Sequence, residues 1–340
     1  MTNKKYKCFD LNVSDNIANL VLSRPNELNT MSRDFWVELG SILDEINRNA
    51  DIREDKNWKR RLFDDPSTKF LLYWRSKSLV SEPKLGSPFA TELNLKEISQ
   101  LADISDNAIF LGQKNGKHYV GLDVSSVDEG EVNEILPKDS SFRDLREVGA
   151  ILGRFDSCVL AYCRAMFYWH QNNKFCGACG GKTFICKAGH QIDCIEVNCR
   201  KPAFPRTDPA VIMLVYDENR ALLGRQSVWK KGMYSTLAGF LEPGETLEEA
   251  VAREVSEEAN IDVEDVCYHS SQPWPFPSSI MLGFYARARS TNIRRNDEEV
   301  EDVQWFSRDD IKQFTTLGKS LPREDSIARR LIEDWLKGNF

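Results

Sequence analysis

The stretch GFLEPGETLEEAVAREVSEEANI, residues 239–261, decides how this chain is read. It holds seven glutamates, Glu242, Glu245, Glu248, Glu249, Glu254, Glu257 and Glu258, and one basic residue, Arg253. Like charges one turn apart weaken a helix, so this density of acid needs an answering cation. Pro243-Gly244 predicts a turn. Thr246 and Glu249 have capping-box spacing and start a helix at Thr246. Leu247, Ala250, Val251 and Val255 form its buried stripe, and Asn260 stands where it stops, because asparagine tolerates the left-handed conformation of a helix end. On that helix Glu254, Glu257 and Glu258 share one face. Oxygen donors so placed suit Mg²⁺ or Mn²⁺, cations that are shared with substrate phosphates. The same pattern also fits a solvated acidic face.

A second cluster, CGACGGKTFICKAGHQIDCIEVNC, lies upstream at residues 176–199. Cys176 and Cys179 form a C-x2-C knuckle, and Cys194 and Cys199 follow as a second pair. Two close pairs of thiolates can surround one Zn²⁺ per chain tetrahedrally, which closes the site to catalysis and makes it structural. Cys186 and His190 fall between the pairs as bystanders.

The 340 residues leave room for two or three domains. A net charge of −7 speaks against a broad nucleic-acid-binding surface but allows a small phosphate pocket. Nine cysteines without a leader sequence point to metal binding or free thiols rather than a disulfide framework. The opening MTNKKYKCFD lacks the apolar core of a signal peptide, the ending KGNF is not a peroxisomal S-K-L address, and no apolar run matches a membrane span. A cytoplasmic location is therefore expected. Ile17–Leu22 reads as a strand, and Phe35, Leu39, Ile42, Leu43 and Ile46 as one helix face. Further strands are expected at Phe70–Tyr73, Ala108–Leu111 and His118–Val124, and a helix from about Phe155 to Trp169. From Pro209 strands alternate with one strong helix, and Ile327, Leu331, Ile332 and Trp335 mark a closing helix. No tandem repeat is visible in the sequence.

The glutamate stretch resembles the Nudix box, G-x5-E-x7-R-E-U-x-E-E-x-G-U with U aliphatic. Gly239, Glu245, Arg253, Glu254, Val255, Glu257, Glu258 and Ile261 match it, and Asn260 departs from the final glycine. Asparagine is the next-best residue at positive φ, so the chemistry is expected to survive. The resemblance implies an α/β fold whose core is a Nudix α/β/α sandwich, and hydrolysis of a nucleoside diphosphate linked to another group. It implies that Glu254, Glu257 and Glu258 are catalytic and bind Mg²⁺ or Mn²⁺, with Glu245 or Arg253 orienting them. The Ala238 carbonyl is an added ligand, and Glu299 supplies a further carboxylate, with Glu298 and Glu301 as neighbours that could be mistaken for it. Which glutamate takes the proton of the attacking water is left open.

A zinc ribbon before a Nudix box resembles the NADH pyrophosphatase subfamily, and SQPWPFPSS, Ser271 to Ser279, is similar to its substrate signature. Its prolines hold Trp274 and Phe276 in a stiff loop whose rings can meet a base. The resemblance implies substrate contacts at Gln272, Pro273, Trp274, Pro275, Phe276, Pro277, Ser278 and Ser279, at Ala238, Gly239 and Phe240, and at Ala328. From upstream, the resemblance adds Arg146 as a substrate-binding arginine. At Phe204 the subfamily usually has tyrosine, so a ring remains and a hydroxyl is lost. The implied reaction splits the pyrophosphate of NADH or NAD⁺ into AMP and nicotinamide mononucleotide, and the same chemistry would remove an NAD cap from RNA. A homodimer is implied as well. The rivals are another Nudix substrate (ADP-ribose, FAD or a diadenosine polyphosphate) and a protein that binds NAD(H) without turnover. Finally, NLVLSRPNELNTMSRDFWVELGSILDEINRNADIR, residues 19–53, resembles the beginning of a crotonase domain, too short for acyl-CoA chemistry. The expected division is an appendage at 1–53, a mixed α+β domain at 54–170, the zinc ribbon at 171–205 and the Nudix domain at 206–340.

Overall fold

A computed structural model of the chain describes residues 9–14, 17–22, 56–99, 107–295 and 299–338. At the start, β1 (Phe9–Ser14) and β2 (Ile17–Leu22) pair as an antiparallel hairpin. The helix face expected at Phe35–Ile46 lies outside the described residues. The chain divides into two compact units, one running to Leu145 and resuming over Gly153–Pro205, the other made of Arg146–Leu152 and Arg206–Phe340.

The first unit contains helix α1 (Trp58–Phe63) and strands β3 (Thr68–Trp74), β4 (Lys77–Ser81), β5 (Phe89–Ala90), β6 (Ala108–Lys114) and β7 (Lys117–Asp123). Helix α2 (Glu129–Glu134) and strand β8 (Ser140–Arg143) follow, and the short helix α3 (Leu145–Val148) belongs, apart from Leu145, to the residues of the second unit. The long helix α4 (Arg154–Asn172) comes next. The sheet runs β5-β4-β3-β7-β6, with β8 also on β4, and β3 and β7 are parallel. Side chains alternate across β3. Phe70, Leu72 and Trp74 enter one core, while Tyr73 enters the other beside Met166 and Phe167 of α4. The ribbon strands β9 (Thr183–Cys186), β10 (Gln191–Cys194) and β11 (Pro202–Ala203) form their own sheet. Ile192 carries that ribbon into the α4 core, so the cysteine cluster is packed into the first unit.

The second unit holds β12 (Asp208–Asp217), β13 (Arg220–Arg225), β14 (Leu237–Phe240), α5 (Leu247–Ala259), β15 (Val263–Trp274), β16 (Ser279–Ala288) and β17 (Asp302–Ser307). Helices α6 (Arg308–Lys312) and α7 (Ile327–Lys337) close it. The sheet order is β15-β16-β12-β13-β17, with β14 on β12, and β12 and β16 are parallel. The alternation along β12 builds two layers. Val211, Met213 and Val215 pack with Val251 and Val255 of α5, while Ile212 and Leu214 pack with Leu331 and Trp335 of α7. Each fully buried valine of α5 contributes about 1.5–3 kcal/mol. The result is the expected α/β/α sandwich.

Both sheets have one strand order. β6-β7-β3-β4-β8 in the first repeats β15-β16-β12-β13-β17 in the second, with the parallel pair in the middle of each. The sequence shows no such repeat, because the shared feature is a hydrogen-bonding path and not a run of residue types.

Candidate active site

Helix α5 begins as its capping residues dictate. Glu249 N–H donates to Thr246 Oγ1 at 3.2 Å, and Thr246 N–H donates to Glu249 Oε2 at 2.8 Å. It ends at Asn260 with φ 57° and ψ 39°, the left-handed conformation expected there.

The acidic face is organised by Arg253. Its Nε and Nη2 donate to the two carboxylate oxygens of Glu245 at 2.5 and 3.0 Å. Nη1 donates to Glu254 at 2.8 Å and Glu257 at 3.0 Å, and Nη2 also reaches the Phe240 carbonyl at 2.9 Å. All five N–H groups of the guanidinium are thus used. Arg253 holds the Glu245 carboxyl below its usual range, helped by the Glu242 N–H. The sequence showed Arg253 beside the acids. It did not show that one side chain ties three glutamates and the β14 carbonyl together.

Glu258 is left out of this arrangement. Its side chain is buried, and Oε2 has no hydrogen-bond partner. Burial, then the charges of Glu254, Glu299 and Glu257, push its carboxyl up to about 8. Glu254 is also raised, chiefly by burial, against the pull of Arg253. Glu299 therefore stands close enough to act on both. Glu301 instead pairs with Arg225, and Glu298 lies outside the described residues. An orphaned buried carboxylate oxygen among further carboxylates is costly unless neutralised, and this donor set fits a hard divalent cation.

Gly239 makes the approach of Glu254 to β14 possible. A Cβ there would lie 1.8 Å from the Glu254 carboxyl carbon, so any side chain would evict Glu254. Ala238, Gly239 and Phe240 pair with Ile212, Val211 and Ala210 of β12, which pair in turn with Gly283, Leu282 and Met281 of β16. Those face Ser270, Ser271 and Gln272 of β15. Phe240 and Gln272 therefore lie in one row across the sheet.

The aromatic loop is the tip of the β15–β16 hairpin, where Trp274 pairs with Ser279. Trp274 and Phe276 meet edge to face at 5.2 Å, and the Arg146 guanidinium sits 4.7 Å from the Phe276 ring centre. Ser278 Oγ donates to Asp208, and the Ser278 carbonyl accepts from the Asp208 N–H. Pro275 and Ser279 are buried, Pro273 and Pro277 exposed. Gln272 donates to the Asp325 carbonyl at 2.7 Å and accepts from Ile327 N–H at 2.8 Å. Its amide thus ties the hairpin to the start of α7, beside buried Ala328. Phe204 lies in the other unit and is exposed.

The four thiols of Cys176, Cys179, Cys194 and Cys199 lie within 4.8 Å of one another. The sulfurs of Cys176 and Cys199 are 3.8 Å apart, and those of Cys179 and Cys194 3.5 Å. A tetrahedral zinc with bonds of about 2.3 Å spaces its sulfurs by about 3.8 Å, so the residues fit that ion. The Ala178 and Cys179 N–H groups lower the Cys176 thiol to about 7, while burial raises the Cys194 thiol and the neighbouring cysteines raise that of Cys179, so the first thiolate forms at Cys176. Cys186 instead faces the Gln191 carbonyl, and His190 bonds to Tyr162. Among the described residues only these thiols are collected so tightly.

Residues 206–331 match the NUDIX domain model, and 67–169 match an NADH pyrophosphatase-like rudimentary NUDIX domain. An NAD-capped RNA hydrolase of Schizosaccharomyces pombe is 33% identical over 92% of this chain and 97% of its own. The chain belongs to the Nudix hydrolases, in their NADH pyrophosphatase-like branch. Nudix hydrolase 19, chloroplastic, of Arabidopsis thaliana is 41% identical over 68% of this chain, and NAD-capped RNA hydrolase NUDT12 of Macaca fascicularis is 43% identical over 53%. The matches span 56% and 42% of those two relatives, about half their length. The rudimentary domain explains the strand order of the first unit, a second Nudix-like sheet without a box.

Proposed function

We propose that this Nudix hydrolase splits the pyrophosphate of NADH and NAD⁺ into AMP and nicotinamide mononucleotide, and removes NAD caps from RNA. The orphaned oxygen of Glu258 among Glu254, Glu257 and Glu299 carries the reading, and the relatives named NAD-capped RNA hydrolase support it. Glu254, Glu257, Glu258 and Glu299 would hold Mg²⁺ or Mn²⁺, with the Ala238 carbonyl as an added donor. Such a cation neutralises phosphate oxygens and makes a bound water more acidic. Cys176, Cys179, Cys194 and Cys199 would hold a structural Zn²⁺.

The residues of the chain do the rest. Arg253 keeps Glu245, Glu254 and Glu257 in place, so no reorganisation is needed when charge develops on phosphorus-bound oxygens. Trp274 and Phe276 offer ring faces to a base at the hairpin tip, in the sheet that carries Phe240. The positive charge of Arg146 over Phe276 disfavours a cationic nicotinamide there and favours the uncharged dihydro form. We therefore expect a higher kcat/KM for NADH than for NAD⁺. A panel of NADH, NAD⁺, NAD-capped RNA, ADP-ribose and FAD at matched concentration with Mg²⁺ or Mn²⁺ tests this by chromatography. AMP from NADH as the fastest reaction is the expected result. Preference for ADP-ribose or FAD would overturn the substrate, and tight NADH binding without AMP would overturn the enzyme.

A further inference from the structure

Glu299 approaches the carboxylate face from the segment before β17, where its charge acts on Glu254 and Glu258. Something must hold that segment, and Arg225 is placed to do so. Arg225 ends β13, is 8% exposed, and lies opposite Asp302 in the β13–β17 ladder. Its carbonyl accepts from the Glu301 N–H at 2.8 Å. Its Nη1 donates to Glu301 Oε2, so backbone and side chain grip the same residue. The remaining donors are poorly served. Nη2 reaches the Trp229 carbonyl only at 3.5 Å, and Nε is buried without a partner. A buried guanidinium with an orphaned N–H costs stability, and hydrophobic packing alone would be served better by an apolar side chain. The adjacent Asp302 accepts from the hydroxyl of buried Tyr234, a second strut at the next residue. The charges acting on Glu258 are those of Glu254, Glu299 and Glu257, so Arg225 stands one step removed from the site.

We propose that Arg225 is a positioning residue: through Glu301 it fixes the segment bearing Glu299, and so sets the geometry of the cation site. This rests on the reading of Glu254, Glu257, Glu258 and Glu299 as that site. The test is a titration of the full chain with Mn²⁺ alone, followed by the electron paramagnetic resonance of the free ion. Loss of an outer partner of a metal ligand weakens affinity by about 10–100-fold. Arg225→Ala should raise the Kd for Mn²⁺ about tenfold, and Arg225→Lys should recover only part, since lysine keeps the charge and loses the fork. Glu301→Gln should act in the same direction. The double variant should be no weaker than Arg225→Ala alone, because both break one contact. Glu301 is the more exposed partner, so Glu301→Gln carries the test if Arg225→Ala fails to fold. Weaker Mn²⁺ binding in Glu299→Gln with none in Arg225→Ala or Glu301→Gln would overturn the proposal and leave the site reading intact. Unchanged binding in Glu299→Gln, with loss in Glu258→Gln, would remove Glu299 from the site and the proposal with it.

Discussion

The two Nudix-like sheets share a strand path and differ in what fills the same place along it. In the second unit the segment between β14 and β15 is helix α5, with seven glutamates in or just before it answered by Arg253. In the first unit the segment between β5 and β6 is TELNLKEISQLADISDN, with two glutamates, Glu92 and Glu97. Glu92 spends its carboxylate on Lys117 and Tyr119, and Glu97 accepts from the Asn94 N–H. In the first unit these two acids are paired one by one. Where one arginine collects three and leaves Glu258 buried and unpaired, the sheet has the site we propose for the cation. The fold is common to both, so the function resides in the side chains.

The largest expected effect tests the first unit. Cys176→Ser should release zinc and lower the melting temperature, since structural zinc contributes about 10 kcal/mol or more to folding in small domains. Elemental analysis that finds no zinc in wild-type protein purified without chelator would show that the four thiols hold no zinc.

Within the second unit, Glu258→Gln should keep the fold and cut kcat by about a hundredfold or more. Glu92→Gln, in the segment between β5 and β6 of the first unit, should leave kcat within about twofold, a surface-level change. Equal losses in steady-state kinetics would mean that the two sheets are not divided as argued.

A smaller change separates the hairpin proposed to bind a base from the acidic face. Trp274→Ala should cost about 1–3 kcal/mol in kcat/KM on NADH, the range for a base on an aromatic side chain. The loss should be less on ADP-ribose, which lacks the nicotinamide. Equal losses on both would assign the hairpin to adenine or to packing.

The smallest effect is expected from removing residues 1–53, which precede both sheets. The truncated chain should hydrolyse NADH at the full rate. A soluble but inactive product would tie this segment to the active unit.

What the sequence disclosed was local. Thr246 with Glu249, and Asn260 at the helix end, were readable because capping acts over three or four residues. The knuckle of Cys176 and Cys179 was readable for the same reason. What stayed hidden depends on distant strands. Nothing at Arg225 announces Glu301, since the register of β13 with β17 brings them together across 76 positions. Nothing at Gly239 shows that its missing Cβ makes room for Glu254. The shared strand order was invisible because Phe70–Tyr73 and Val211–Leu214 match in path and not in composition.

The state of Glu258 tests the comparison most directly. Its carboxyl is raised from the ordinary 4.5 to about 8. Between those values the folded chain keeps a proton that the unfolded chain has released, so stability falls as pH rises across the window. The measurement is the melting temperature of metal-free protein from about pH 5 to about pH 8, for wild type and Glu258→Gln. The melting temperature should fall in the wild type, with a shallower slope in Glu258→Gln, and the wild-type slope should turn upward when Mn²⁺ is added, because the cation needs the ionised carboxylate. Identical slopes for wild type and Glu258→Gln, with no change on adding Mn²⁺, would contradict this expectation.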